Sequence, residues 1–227
     1  MYKKKQFSKL DKKYKKYQEG GSVGFMMDIC HKGMEIDKYF LGKKTVILEI
    51  GAGSSPHIQY LNHNYKRYYF LESSKFAIQH LKKNFGKNKK IYFKYYKNNK
   101  IPFQKNYFDR IIISHVLEHI PDPEQYLSQI FSKLKRNGIL SIALPNDPGI
   151  LWRLGRYFLK IFKVKKILKI SAKEYNYMIA TEHINSIFNL ISIIKYKYEK
   201  NIIDEKYLPF RIKNIDLNLF YNVTLKK

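Results

Sequence analysis

Apolar and polar positions along the first two thirds of the chain change between two repeating patterns. Short runs rich in β-branched and aromatic residues stop at glycine or polar residues, which is typical of buried strands. Between these runs, apolar residues recur every three or four positions, as in an amphipathic helix. The strands are predicted at residues 45–50, 67–71, 91–96, 108–114 and 139–144. The helices are predicted at residues 23–41, 74–85 and 123–134.

The pattern changes beyond Pro145. Residues 150–170 mix aromatic, aliphatic and basic positions, and a helix is predicted at residues 183–194. Residues 196–203 and 217–225 are candidates for two closing strands.

Strands that alternate with helices predict βαβ units and a parallel sheet. Crossovers in such a sheet are right-handed, and ligands bind at the carboxyl ends of its strands. A length of 227 residues with 44% apolar content is sufficient for one large domain. The lysine-rich start has weak periodicity, so we predict a basic arm at residues 1–21 and one domain at 22–227.

The formal charge of +26 has two explanations. It suits attraction to nucleic acid or to an anionic membrane surface. However, 38 of the 44 basic residues are lysine and 6 are arginine, and Asn, Ile and Tyr are also abundant. That bias is typical of AT-rich coding, whereas phosphate recognition favours arginine. We attribute most of the charge to composition and a smaller part to membrane or phosphate binding.

Cys30 is the single cysteine, so no internal disulfide can form, and its apolar neighbours predict a small buried residue. The N-terminus has no apolar signal core, and no apolar run is long enough to span a bilayer. These features predict a cytoplasmic protein.

A glycine-containing turn follows the first predicted strand, in the segment VILEIGAGSSP at residues 46–56. Gly51 and Gly53 allow the backbone to approach a ligand closely. Pro56 stands where a dinucleotide fingerprint has its third glycine, which counts against NAD. Glu72 ends the second strand, where a carboxylate can accept hydrogen bonds from both hydroxyls of a ribose. A solvated strand-end carboxylate is the alternative, but the nearby glycine turn favours ribose binding.

Together with the block at residues 101–149, this turn resembles the class I S-adenosylmethionine-dependent methyltransferases. The block contains Pro-Phe, Phe-Asp, a strand, Leu-Glu-His, Pro and a helix that ends in a glycine turn, in the order of that family. The resemblance covers residues 40–149. It implies a methyltransferase with S-adenosylmethionine as cofactor. It also implies an α/β Rossmann-like three-layer sandwich, whose seven-stranded sheet is mostly parallel with an antiparallel last strand.

The resemblance also assigns cofactor-binding residues. They are Glu49, Gly51, Ala52, Gly53, Glu72, Ser73, Asn98, Ser114 and His115. The family often has an aspartate at the adenine, where this chain has Asn98 as the candidate acceptor. Ser114 and His115 match positions at the methionine end.

Transfer of a methyl group to a hydroxyl benefits from a general base, which is most often histidine near neutral pH. The candidates are His115, His119 in the Leu-Glu-His block, and His183, which is predicted to open a helix. Packing beside the cofactor pocket is the competing interpretation for His119. Glu182 or Asn185 is placed to position His183. No zinc-ligand pattern is present, and no metal is predicted.

Residues 151–170 place basic side chains at helical spacing opposite an apolar stripe. Such a helix lies in a membrane interface or packs on the domain as an amphipathic lid. We assign residues 145–195 to the substrate side of the domain. Residues 148–156, 182–185 and 218–220 resemble methyltransferases of surface-polysaccharide and lipid-linked glycan synthesis.

That second resemblance implies O-methylation of a sugar or a phosphate-bearing glycolipid, with peripheral contact at the inner membrane face. An RNA methyltransferase is the alternative that the charge suggests, although the chain lacks an Asn-Pro-Pro-Tyr motif and an RNA-binding appendage. Nucleic acid is therefore the less favoured partner. A non-catalytic S-adenosylmethionine-binding protein is the third hypothesis, because the adenine-side aspartate is missing.

Overall fold

The structure is a computed structural model that describes residues 21–40, 42, 44–53, 55–97, 99–161 and 169–227. The arm predicted at residues 1–21 lies outside this range except for its last residue. Asn98 and residues 162–168 also lie outside it.

Seven strands form a single sheet. They are β1 (Thr45–Ile50), β2 (Tyr65–Glu72), β3 (Ile91–Tyr95), β4 (Phe108–Ser114), β5 (Leu134–Pro145), β6 (Ile202–Leu208) and β7 (Phe220–Lys226). Their order across the sheet is β3-β2-β1-β4-β5-β7-β6. The first five strands are parallel, and β7 lies antiparallel between β5 and β6. The predicted fold class is confirmed.

Helices pack on both faces of the sheet. They are α1 (Gly21–Gly33), α2 (Lys75–Phe85), α3 (Pro123–Lys133), α4 (Ile150–Leu159), α5 (Ala172–Glu182) and α6 (Ile187–Tyr198). Ile111 and Ile113 of β4 join a buried cluster with α3 and α6, whereas Ile112 joins a second cluster with α1 and α2. Successive side chains of a strand point to opposite faces, so a strand that is buried on both faces is mostly apolar.

Helix α1 ends earlier than the predicted helix at residues 23–41. A Cβ atom on Gly33 would lie 2.4 Å from Cδ1 of Leu208, and Nζ of Lys206 donates to the Gly33 carbonyl at 2.8 Å. The helix therefore stops where its glycine meets β6. A short 3-10 turn, Asp37–Tyr39, follows.

Strand β5 begins earlier than predicted. Phe108 pairs with Leu134 and Arg110 with Ile139, so a bulge separates the two paired stretches. Asn137 in this bulge has a φ of 62°. The Asn137-Gly138 turn thus lies within the strand instead of before it.

The C-terminal predictions need three corrections. The predicted strand at residues 196–203 is wrong over its first part, because α6 continues to Tyr198 and β6 begins at Ile202. Helix α5 was not predicted, although Ser171 and Glu174 form a capping box at its start. His183 ends α5, and the next helix begins only at Ile187.

Candidate active site

The turn after β1 has the backbone geometry that its glycines predict. Gly51 and Gly53 have φ values of 71° and 54°, in the left-handed region that side chains disfavour. A Cβ atom on Gly51 would lie 2.3 Å from Cγ2 of Val116, in the segment after β4. The backbone of this turn therefore packs directly against the neighbouring strand end.

Glu72 lies at the end of β2, beside the glycine turn. Its Oε1 accepts a 2.6 Å hydrogen bond from the amide of Gly53, and the side chain is 4% exposed. Burial raises the pKa of this carboxyl to about 7, while hydrogen bonds from the amides of Gly53 and Ser73 oppose that rise. The Ser73 side chain itself is exposed. The carboxylate and the turn thus form one hydrogen-bonded unit.

Glu49 is buried beneath the turn. Its Oε1 accepts from the amide of His57 at 2.6 Å, and its Oε2 accepts from the hydroxyl of Tyr68 at 2.5 Å. Burial raises the pKa of Glu49 to about 7. Both carboxylate oxygens accept hydrogen bonds from protein groups, so Glu49 stabilises the segment after the turn. Its predicted contact with the cofactor stays a prediction.

Two further predicted residues lie beside the turn, Ser114 as the last residue of β4 and His115 directly after it. Oγ of Ser114 is buried without a hydrogen-bond partner among the described residues. His115 has a φ of 54°, and its Nε2 lies 3.7 Å from Sγ of Cys30. Burial lowers the pKa of His115 to about 3, so this ring is neutral near pH 7. Ala52 is buried in the apolar cluster beneath the turn.

These features fit a nucleoside-like cofactor. Left-handed glycines allow the backbone to approach a ligand closely, Glu72 supplies a carboxylate, and Ser114 supplies a hydroxyl that has no partner within the described ranges. Asn98, predicted for the adenine, lies outside the described part of the chain.

The two predicted catalytic histidines come together across the end of the sheet. The rings of His119 and His183 are perpendicular, with centroids 5.0 Å apart. Nδ1 of His183 donates to Oδ2 of Asp147 at 2.8 Å, and Arg156 binds the same oxygen at 2.8 Å. Burial raises the pKa of Asp147, but the bonds from His183 and Arg156 outweigh it and lower the pKa overall. Asp147 therefore orients His183, a role predicted for Glu182 or Asn185.

Asn185 and Glu182 connect the segment after α5 to the turn after β4. Nδ2 of Asn185 donates to the carbonyls of Leu117 and Ile120, and the Glu182 carbonyl accepts from Nδ1 of His119 at 2.8 Å. The pKa of His119 is lowered to about 4, first by desolvation and then by the nearby His183, so its ring is neutral at pH 7.

Glu118 and Asp147 were missed by the sequence prediction. Glu118 is 2% exposed, its Oε1 lies 3.7 Å from Nε2 of His119, and burial raises its pKa to about 7. The position of Asp147 just beyond β5 was a usable signal, because parallel strands collect functional residues at their carboxyl ends.

A polar pocket of about 550 Å³ opens beside His183 and Asp147, which both line it. Its cationic side chains are Arg153, Arg156 and Lys160 of the α4 region. Asn176 of α5 and Asn189 of α6 contribute amides. The pocket suits a hydrophilic ligand that carries negative charge.

Residues 48–142 match a family model described as a methyltransferase domain. No curated protein matches the chain. A SAM-dependent methyltransferase from Aquifex aeolicus has a similar structure, with 12% identity, a TM-score of 0.59 and coverage of 94% of this chain and 96% of that one.

Two further structures share the fold. One is the N-methyltransferase NodS from Bradyrhizobium japonicum WM9 in complex with S-adenosyl-L-homocysteine, at 12% identity and a TM-score of 0.58, covering 87% of this chain and 85% of that one. The other is the [4+2]-cyclase SpnF, at 13% identity and a TM-score of 0.57, covering 84% and 77% respectively. The fold alone therefore does not decide the reaction.

The sheet order, the glycine turn and the acid that ends β2 define a class I methyltransferase fold. Residues 48–142, which include the turn and Glu72, are therefore identified as a methyltransferase domain whose cofactor is S-adenosylmethionine.

Proposed function

We propose that this enzyme methylates a hydroxyl group on the glycan part of a lipid-linked acceptor. The observation that carries the proposal is the position of α4, which presents cations to the pocket of His183 and an apolar face to solvent. The phosphate of a lipid-linked glycan would match the cationic face of α4, and its lipid would match the apolar face.

The cofactor supplies a methyl group on a positively charged sulfur atom. The protein must hold the acceptor oxygen in line with that methyl group and remove its proton. Since Nδ1 of His183 donates to Asp147, its Nε2 atom is left to accept the hydroxyl proton. The Asp147 carboxylate then stabilises the imidazolium.

The cofactor itself is assigned to the turn after β1. Glu72 would accept hydrogen bonds from the ribose hydroxyls, and the backbone of Gly51 and Gly53 would lie against the cofactor. Ser114 and His115 would hold its methionine end. These assignments are supported by the buried carboxylate of Glu72 and by the Ser114 hydroxyl, which has no hydrogen-bond partner among the described residues.

The cationic face of α4 favours an acceptor that carries phosphate. Arg153, Arg156 and Lys160 recur at helical spacing and all line the pocket. Arginine binds phosphate through two parallel hydrogen bonds, and lysine adds a point charge.

The solvent-facing side of α4 favours a lipid. Large apolar side chains that are 50–57% exposed follow one side of the helix and its extension. They are Ile150, Leu154, Tyr157, Phe158 and Ile161. Such a face inserts into the boundary between lipid headgroups and acyl chains. None of the helices in the described ranges is long and apolar enough to cross a membrane. The exposed apolar side chains of α4 lead us to propose peripheral contact with the inner face of the membrane.

Radioactive methyl transfer tests the proposal with three acceptors, which are a polyprenyl-diphosphate oligosaccharide, the same oligosaccharide without lipid, and bulk RNA. We expect incorporation into the lipid-linked glycan, a higher KM without lipid, and a loss of kcat in His183→Gln. His80→Gln on α2 is the control and should retain kcat.

Salt-sensitive transfer to RNA would instead support the nucleic-acid alternative. Cofactor binding without transfer to any carbohydrate acceptor would support the non-catalytic one.

A further inference from the structure

Three side chains beside the pocket form a cluster of metal-ligand type. Glu118, His119 and His183 each place one ligand atom within 4.8 Å of the other two. Glu118 and His119 belong to the short turn Leu117–His119 after β4, and His183 ends α5. The two histidines are far apart in sequence, so the sequence shows no short metal-ligand motif that contains both.

Both imidazoles are held by their Nδ1 atoms. Nδ1 of His119 donates to the carbonyl of Glu182, and Nδ1 of His183 donates to the carboxylate of Asp147, each at 2.8 Å. An Nδ1–H that is donated in this way leaves the Nε2 lone pair free. Metal-bound histidines are commonly oriented by such carbonyl or carboxylate partners.

Glu118 supplies an independent observation. Its Oε2 is buried and has no hydrogen-bond partner in the described part of the chain. Its Oε1 lies 3.7 Å from Nε2 of His119 and from Nδ1 of His115, beyond hydrogen-bond distance. A buried carboxylate oxygen without a partner is costly, and a cation between Glu118 and the two imidazoles would remove that cost.

We propose that Glu118, His119 and His183 bind a divalent transition-metal ion of the Zn²⁺, Fe²⁺ or Co²⁺ type. Two imidazole nitrogens and one carboxylate oxygen suit these ions, whereas Mg²⁺ and Ca²⁺ prefer oxygen ligands alone. Three protein ligands leave a coordination position for an oxygen of a molecule in the pocket.

Ion binding changes the part that His183 plays in the proposed function. A hydroxyl oxygen on the ion would have a lowered pKa and release its proton to solvent, while His183 serves as a ligand. This consequence rests on the proposed function, but ion binding itself does not.

The test uses the full-length protein after chelator treatment. Titration with Co²⁺ is followed by calorimetry and by visible absorption, which reports coordination directly. We expect one equivalent to bind with visible absorption bands. Glu118→Gln, His119→Gln and His183→Gln should each weaken binding by about tenfold or more. His80→Gln is the matched control and should bind like the parent, and thermal unfolding checks that each variant is folded.

Unchanged Co²⁺ affinity in folded variants of the three ligands would overturn the ion site, as would a lack of binding by the parent protein. The two proposals fail separately. Methyl transfer by a chelated protein that binds no Co²⁺ would remove only the ion site. Stoichiometric Co²⁺ binding without transfer to lipid-linked glycan would remove only the proposed acceptor.

Discussion

The amide of Gly53 donates a 2.6 Å hydrogen bond to the Glu72 carboxylate, which ties the turn after β1 to the end of β2. The two strands are parallel neighbours, so their carboxyl ends meet at one edge of the sheet. The ligand-binding conformation of the turn and the position of the acid therefore depend on each other.

Replacement of Glu72 should weaken cofactor binding. Hydrogen bonds to a charged acceptor contribute about 1.5–3 kcal/mol, so Glu72→Ala should raise the Kd for S-adenosylmethionine by about 10- to 140-fold. Calorimetry measures this change. Glu124→Ala removes an exposed carboxylate that pairs with Lys197, and should leave the Kd unchanged. Equal affinities for both variants would contradict the ribose role of Glu72.

Cofactor affinity should depend on pH through Glu72. Its pKa is raised to about 7 by burial, and the ionised carboxylate is the form that accepts two ribose hydroxyls. Affinity should therefore be full above pH 7 and fall as pH decreases, by up to about tenfold per pH unit. Binding isotherms from pH 8 to pH 5 test the sign. The pKa of Glu49 is also raised to about 7. The pH dependence of cofactor affinity that remains in Glu72→Gln therefore measures the contribution of Glu49.

Gly51 should tolerate no side chain. Gly51→Ala combines a left-handed φ of 71° with a Cβ atom only 2.3 Å from Val116. The backbone conformation costs about 1–2 kcal/mol, and overpacking adds about 1–3 kcal/mol. Gly42 is the control, because its φ is 70° but, apart from its neighbours in the chain, no heavy atom of the described residues lies within 4 Å of its added Cβ.

Urea unfolding of these two variants separates the contributions. Gly51→Ala should be less stable than Gly42→Ala by the overpacking cost alone. Adding Val116→Ala to Gly51→Ala should recover part of that difference, and a lack of recovery would place the strain elsewhere.

Arg110 should matter for stability more than an exposed cation does. It is fully buried on β4, where it binds Oε1 of Glu35 at 2.8 Å and the Met34 carbonyl at 2.9 Å. Arg110→Met leaves the Glu35 carboxylate without this partner and should cost about 3–5 kcal/mol. Lys135→Met breaks a partly exposed pair with Asp109 and should cost about 1 kcal/mol or less. Chemical unfolding of both variants measures the difference, and equal losses would contradict it.

The exposed face of α4 should bind lipid. Leu154→Ser with Phe158→Ser removes two of its apolar side chains, which are not buried in the protein. Sedimentation with phosphatidylglycerol vesicles should show reduced binding, with the melting temperature unchanged. Phe188→Ser changes an exposed side chain on α6 and should sediment like the parent. Loss of binding in both variants would contradict a specific lipid face.

Strands β1 and β4 have the bounds predicted from sequence because both their faces are buried, which makes most of their residues apolar. The C-terminal part was predicted less well. Apolar residues of α6 continue at helical spacing to Tyr198, but a short apolar window cannot separate a helix from a strand. The start of α5 carries a capping box that the prediction did not use.

The sequence by itself determined the parallel half of the sheet, the glycine turn and the acid that ends β2, because these features follow from neighbouring residues along the chain. Only the tertiary structure decided which residues meet at the pocket. His183 pairs with Asp147 and lies beside Glu118 and His119 because β4, β5 and α5 converge at one end of the sheet. Contacts between distant segments depend on packing, which no local pattern of residues records.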